Sequence, residues 1–265
     1  VTYESLKTVA LTTEEGDWLF SIDLDSGYDA LLMTPESRKL FGVLVVFSKE
    51  NVALLKQEGL WQEAAVQQAF GDGSVEVLLQ QRTLVQGWRN SCAVFTKLTR
   101  CMVRKWRKEG KKLVHLLDDF LFSVRGTFAE ACAVRDAVIA DMERLGFSVS
   151  WLKSCLMPSH ILRFLGFVVD SVRMCFYVPG DKVEEMERLA AQFLAHPTEA
   201  TFRQLAKLAG KLISTQMAVA PARLFARETY RCIRPEGDWD ATAPLSKGML
   251  DEQGWVLQML RLSRR

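Results

Sequence analysis

Histidine is scarce: there are three in 265 residues, and the six cysteines (Cys92, Cys101, Cys132, Cys155, Cys175, Cys232) form no Cys-x-x-Cys pair. So few imidazole and paired thiolate ligands argue against a zinc cluster. A chain this long needs no disulfide framework, so reduced thiols are expected. Long apolar runs are missing too. The longest, such as Phe41 to Phe47, fall far short of a membrane span. No secretory leader opens the chain, so the expected location is intracellular, not secreted, and no membrane partner is expected. Excess charge of one sign is also absent: the formal net charge is +2. A nucleic-acid partner would therefore have to show itself through local charge. What remains is a globular balance of 49% apolar and 25% charged residues, with only seven prolines and 16 glycines. That excludes disordered, collagen-like and coiled-coil readings and leaves room for one large domain, or a medium domain with a small companion. The chain starts at Val1 and stops at Arg265 within a helical pattern, so it is expected to be a piece of something longer.

Periodicity organises the chain. Trp18, Phe20 and Ile22 alternate with Ser21 and Asp23, which predicts a half-buried strand. A helix is expected over Leu54 to Phe70, then a Gly-Asp-Gly turn at 71–73 and a strand over Val75 to Leu79. Ser91 to Arg107 reads as a helix. Leu113–Leu117 and Phe120–Val124 read as strands of a tight hairpin with Asp118-Asp119 as its turn. Thr127-Phe-Ala-Glu130 is a capping box opening a helix that Gly146 closes, and Phe147 to Trp151 is a further strand. Strand, helix, strand, strand, helix, strand is the split βαβ pattern: an α+β fold whose four-stranded antiparallel sheet is backed by two helices. Strands over Arg163–Asp170 and Val172–Val178 follow. Beyond Pro179-Gly180 the pattern is helical: Lys182–Leu194, Thr201–Ser214 and Pro221–Ile233, then a linker at Pro235–Asp238 and a last amphipathic stretch.

This topology can bring Asp23 close to Asp118 and Asp119. Clustered carboxylates repel unless a cation lies between them, and oxygen ligands without His or Cys favour Mg²⁺, with Mn²⁺ a substitute. Taken alone, Asp118-Asp119 also reads as a plain turn and Asp23 as a strand-end charge.

The surrounding residues carry more. Ser21-Ile-Asp-Leu-Asp-Ser-Gly-Tyr28, Gln86-Gly-Trp-Arg-Asn-Ser-Cys-Ala-Val-Phe95, Leu116-Leu-Asp-Asp-Phe120, Leu145-Gly-Phe with Lys153-Ser154, and Phe164-Leu-Gly-Phe167 resemble, in order, the palm motifs of reverse transcriptases. The nearest likeness is to DIRS-type retroelements, which encode a tyrosine recombinase. It rests on Tyr3-Glu-Ser-Leu6, Gly16–Asp23, Pro35–Lys39, Phe95-Thr-Lys-Leu98, Leu208–Ser214 and Ala222-Arg-Leu-Phe225, and covers about residues 3 to 233.

The resemblance implies a palm with reduced fingers over 1–178, a helical thumb over 179–235 and a connector over 236–265. Asp23 and Asp118 would hold metal, with Asp119 as the second acid of the turn. Tyr28 would lie under the incoming sugar, and Gln86 and Gly87 would let the backbone approach the template base. Lys153 would approach the departing pyrophosphate, and Phe164 and Gly166 would lie in a segment gripping the primer end. Arg100, Arg104 and Lys105, in a basic run extending to Lys112, and Arg203, Lys207 and Lys211 on the thumb would meet phosphates of a primer and template. Each has a plainer reading: a packed aromatic, a loop lysine, a buried strand, a solvated helix end.

The pattern also departs from the family. Only 22 residues precede Asp23, so most of the fingers that come before it are missing. Leu116 stands where Tyr is usual and Val85 where Pro is usual, and Asp29 replaces a different polar residue. Residues 48–83 match nothing familiar, and Arg265 ends the chain where a ribonuclease H region would begin. Two readings stay open: an Mg²⁺-dependent RNA-directed DNA polymerase core, or a silent, domesticated remnant acting as a nucleic-acid-binding or structural part of a larger assembly.

Overall fold

The computed structural model describes residues 2–234 and 237–262. In chain order the first elements are α1 (Leu6–Thr12), β1 (Trp18–Asp25), α2 (Pro35–Arg38), β2 (Gly42–Phe47), α3 (Lys49–Gln57), β3 (Val66–Ala69) and β4 (Val75–Gln80). Next come α4 (Ser91–Lys108), β5 (Lys112–Leu116), β6 (Asp119–Val124), α5 (Phe128–Arg144), β7 (Ser148–Val149) and β8 (Cys155–Ser159). The hairpin strands β9 (Ile161–Phe164) and β10 (Phe167–Asp170) and the short β11 (Cys175–Tyr177) lead into α6 (Gly180–Ala195), α7 (Phe202–Ser214), α8 (Arg227–Cys232) and α9 (Lys247–Leu262). Part of the expected linker, Pro235 and Glu236, and the last three residues lie outside the described residues.

The chain divides into two compact units. One comprises Leu24–Lys105 and Ile139–Ser150; the other comprises Thr2–Asp23, Trp106–Val138 and Trp151–Arg265. In the second unit, β6 pairs antiparallel with β5 on one side and β1 on the other, and β8 also pairs with β1. The last two residues of β1, Leu24 and Asp25, pair with Val149 and Ser148 of β7 in the first unit. The strand order β5-β6-β1-β7 is that of the expected split βαβ sheet, with β8 as an addition the sequence did not announce.

Apolar side chains on both faces hold this sheet, with consecutive residues of β1, β5 and β6 buried. Phe20 and Phe122 are register partners whose rings stack at 4.8 Å, and Trp106, fully buried, sets its ring edge-on to Phe120 and Phe122. Trp106 is thus part of the core. The capping box closes as expected: Thr127 N–H donates to Glu130 at 2.7 Å, and Glu130 N–H donates to Thr127 Oγ1 at 3.2 Å. The other face of the sheet joins α1 and the β9–β10 hairpin in a cluster of Leu6, Val9, Leu19, Val114, Leu121, Leu162, Phe164, Phe167 and Val169.

Four expectations are corrected. The helix expected over 54–70 is α3, which runs from Lys49 and ends at Gln57; Gly59, with φ +69°, turns the chain out of it. Residues 66–69 are therefore a strand, and β2, β4 and β3 form a separate three-stranded sheet in the first unit, with Val43, Leu44 and Val46 more than half exposed. The strand expected over 163–170 is folded back on itself at Leu165 and Gly166. Both have positive φ (+45° and +76°), as a type I′ hairpin turn requires. The helix expected from Pro221 begins as a 3₁₀ segment, Ala220–Ala226, before α8. The acidic hairpin, fourth, is taken up below.

Beyond Pro179, α6–α9 share one core that includes Val183, Met186, Phe193, Leu205, Leu208, Leu212, Met249 and Val256. The terminal amphipathic stretch is thus packed into the helical bundle. Glu252 of α9 ties it further by accepting Glu228 N–H at 2.8 Å and Thr229 N–H at 3.1 Å at the start of α8. Among the described residues no helix is long and apolar enough to cross a membrane.

Candidate active site

Asp23 lies near the end of β1 and is the register partner of Asp119, the first residue of β6. The hairpin turn is one residue earlier than expected. Leu116 pairs with Asp119, so Leu117 and Asp118 form the connection and Asp119 belongs to the strand. Leu117 adopts φ +58°, a left-handed conformation unusual for leucine. Pairing rather than residue type sets the turn: closing the ladder at Leu116–Asp119 places Asp119 beside Asp23.

The carboxyl groups feel one another. Asp119 is pushed up to about 6, first by burial, then by the charges of Asp118 and Asp23, and by a hydrogen bond with the Asp23 side chain. Lys153 opposes this rise; its Nζ is 3.9 Å from Asp23 Oδ1 while most of its side chain is in solvent. Ser154 fixes the segment that carries Lys153, because its Oγ accepts the Asp23 N–H at 3.0 Å. Cys155 N–H reaches Ser21 Oγ at 3.4 Å in the same ladder. The sequence carries no signal for these roles of Ser21 and Ser154, which depend on contacts between distant segments.

Asp23, Asp118, Asp119 and Lys153 thus converge in one unit. Among the described residues no three His, Cys, Asp or Glu side chains form a ready metal cage. The donor set still fits Mg²⁺, which is usually held by one or two carboxylates and completes its shell with water and substrate phosphates.

The remaining predicted residues fall in several places. Tyr28, Gln86 and Gly87 belong to the first unit. Tyr28 is half-buried, donates its hydroxyl to Cys92 Sγ at 3.2 Å and packs against Phe95 at 4.9 Å. Gln86 and Gly87 are exposed, and Gly87 has φ +83°. Phe164 is buried in the sheet-side cluster, and Leu165 and Gly166 at the β9–β10 turn are half-buried, with Leu165 packed against that cluster; Gly166 O accepts Lys182 Nζ at 2.8 Å.

Many of the cations are already matched. Lys105 pairs with Asp141 at 2.6 Å, Arg107 with Glu4 at 2.7 Å and Lys112 with Glu14 at 2.5 Å; on α4, Arg104 is exposed and Arg100 half-buried. On the thumb helices Arg203 forms a bidentate pair with Asp240 at 2.7 and 2.9 Å. Lys207 and Lys211 both grip Glu185 and hold its carboxyl down at about 2. These carboxylates come from distant segments, so local charge could not reveal them.

The family profile "Reverse transcriptase (RNA-dependent DNA polymerase)" matches residues 2–169, more than half of the chain. The chain belongs to the reverse transcriptase family. Among solved structures this reverse transcriptase-family chain is similar to the foamy viral protease-reverse transcriptase dRH in complex with ds DNA, at 16% identity and a TM-score of 0.69. That match covers 99% of this chain and 38% of the viral one. It is also similar to the foamy viral protease-reverse transcriptase in complex with RNA/DNA hybrid, at 17% identity and a TM-score of 0.65, covering 98% of this chain and 29% of that one. The chain therefore spans well under half of either viral protein, and the likeness is one of fold. No curated protein matches it.

Proposed function

We propose that this chain is a reverse transcriptase core that extends a primer along a template by Mg²⁺-dependent nucleotidyl transfer. The observation that carries this reading is the register pairing of Asp23 with Asp119, with Asp118 and Lys153 beside them. A carboxylate group in which burial first, and neighbouring charges second, raise one acid to about 6 is costly in a bare protein and fits a bound cation. Asp23 and Asp118 hold the metal in this reading, with Asp119 tightening the cluster; Mn²⁺ substitutes. Bound there, a pair of such ions would activate the primer hydroxyl and stabilise the leaving pyrophosphate.

The chain's own residues do the rest. Lys153 supplies a mobile cation for the pyrophosphate, and Ser154 fixes the segment bearing it. Tyr28, held by Cys92 and Phe95, sets the floor under the sugar, and Gln86 and Gly87 face the template. The Leu165-Gly166 tip meets the primer, and Arg100, Arg104 and the thumb cations meet phosphates. The nucleic-acid partner is that of the two viral structures, whose complexes hold ds DNA and an RNA/DNA hybrid. The domain reading is a palm with reduced fingers to 178, a thumb to 235 and a connector that packs with it, in a DIRS-type element and inside the cell.

One observation favours a second reading, a silent domesticated domain. Arg203, Lys207 and Lys211 are all neutralised within the chain, which weakens the phosphate grip a polymerase thumb needs. Primer extension with dNTPs and Mg²⁺ on an RNA template separates the two. Extension lost in Asp118→Asn establishes the first reading; no extension by wild type, with Mn²⁺ and with partner chains added, establishes the second.

A further inference from the structure

We infer that His115 is a positioning residue for the acidic hairpin, its ring N–H holding Leu117 in the left-handed conformation that presents Asp118 and Asp119. This rests on the reading of that hairpin as a catalytic centre. The His115 ring is 4% exposed and stacks on Phe120, centroids 4.7 Å apart. Its Nε2 lies 2.7 Å from the Leu117 carbonyl oxygen. A carbonyl only accepts, so the ring nitrogen facing it carries the proton.

Leu117 needs such a hold. At φ +58° its Cβ crowds the backbone, a conformation that glycine adopts freely and leucine does not. Relaxing Leu117 to an ordinary conformation would swing the following peptide, and with it Asp118 and Asp119. The backbone of His115 is itself anchored. The His115 backbone N–H donates to Glu4 Oε2 at 2.9 Å, and Glu4 Oε1 receives Arg107 at 2.7 Å. Arg107 also reaches the Leu113 carbonyl at 3.0 Å. A chain of contacts thus runs from the N-terminal segment to the His115 backbone, and from the His115 ring to the turn that bears the carboxylates. Strain held by surrounding contacts in this way is common where side chains must be aimed.

The test uses the full chain with His115→Phe, His115→Gln, Leu117→Gly and the His115→Phe/Leu117→Gly double variant. Phe keeps the packing on Phe120 and loses the donor; Gln keeps an N–H. Primer extension should show kcat for His115→Phe about 10- to 100-fold lower with dNTP KM unchanged, as for a misplaced catalytic group. His115→Gln should keep most of kcat. Leu117→Gly should be nearly silent alone, yet in the His115→Phe background it should raise Tm and restore kcat to within about threefold of wild type, a non-additive effect. Wild-type kcat in His115→Phe, or no rescue of kcat and Tm by Leu117→Gly, would overturn the inference. If wild type extends no primer, the catalytic reading fails separately, and the Tm cycle decides: coupling supports the role of His115 and additivity removes it.

Discussion

Asp23 and Asp119 face each other across an antiparallel strand pair, and their carboxyl groups share a hydrogen bond. Such a bond needs a proton on one of them. Burial, then the charges of Asp118 and Asp23, raise Asp119 to about 6, which favours its protonated form. In metal-free protein this acid binds its proton more tightly folded than unfolded. Its contribution to stability is therefore complete below the ordinary value of 3.8 and is lost as pH rises through about 6. The loss should be on the order of 1–2 kcal/mol, because solvent screens this partly exposed carboxyl. Thermal unfolding in EDTA should show Tm falling between about pH 4 and pH 7. Asp119→Asn should flatten that fall; an unchanged profile in the variant would place the titration elsewhere.

Asp118 is the carboxylate of the turn, and its charge raises Asp119. Asp118→Asn should remove extension at constant or tighter duplex affinity, because it deletes a negative charge facing phosphates. It should also raise the Tm of metal-free protein by easing like-charge repulsion. Gel-shift affinity and calorimetry on one preparation check both arms.

Glu185 clamps Lys207 and Lys211. Glu185→Gln should release both cations and steepen the fall of nucleic-acid affinity with salt, by a slope of up to about 2 on a log–log plot. The clamp itself is pH-sensitive in the opposite sense to Asp119. Glu185 is depressed to about 2, so its support is present above 4.5 and is lost as pH falls from 4.5 toward 2. A salt slope identical in wild type and Glu185→Gln would show that these lysines meet no phosphate.

Gly27 is packed against a ring. A Cβ placed there would come within 2.8 Å of Phe95 Cζ and 3.0 Å of Cε2, and Phe95 is fully buried. Gly27→Ala should therefore lower stability by about 1–3 kcal/mol through overpacking. Because Phe95 also supports Tyr28 at 4.9 Å, the variant should discriminate less well between dNTP and rNTP in extension assays. Urea denaturation and paired incorporation rates test the two effects.

Alternation at Trp18–Asp23, the apolar strand runs flanking Asp118 and Asp119, the capping box at Thr127 and the apolar stripe of Phe202–Leu212 are legible in the sequence. Each is a local rule, since side-chain period and end-group satisfaction act within a few residues. The same locality explains the errors. A helix was read through Phe70 because nothing near 66–69 shows that these residues pair with β4. The motif order pointed to Asp23, Asp118, Asp119 and Lys153 as one group. Which acid meets Asp23 was decided only by the ladder, which moved the turn to Leu117-Asp118 and put Asp119 opposite. Tertiary structure alone joined Glu185 to Lys207 and Lys211, and Glu4 to His115, because an ion pair or hydrogen bond depends on distance in space and leaves no trace in spacing along the chain.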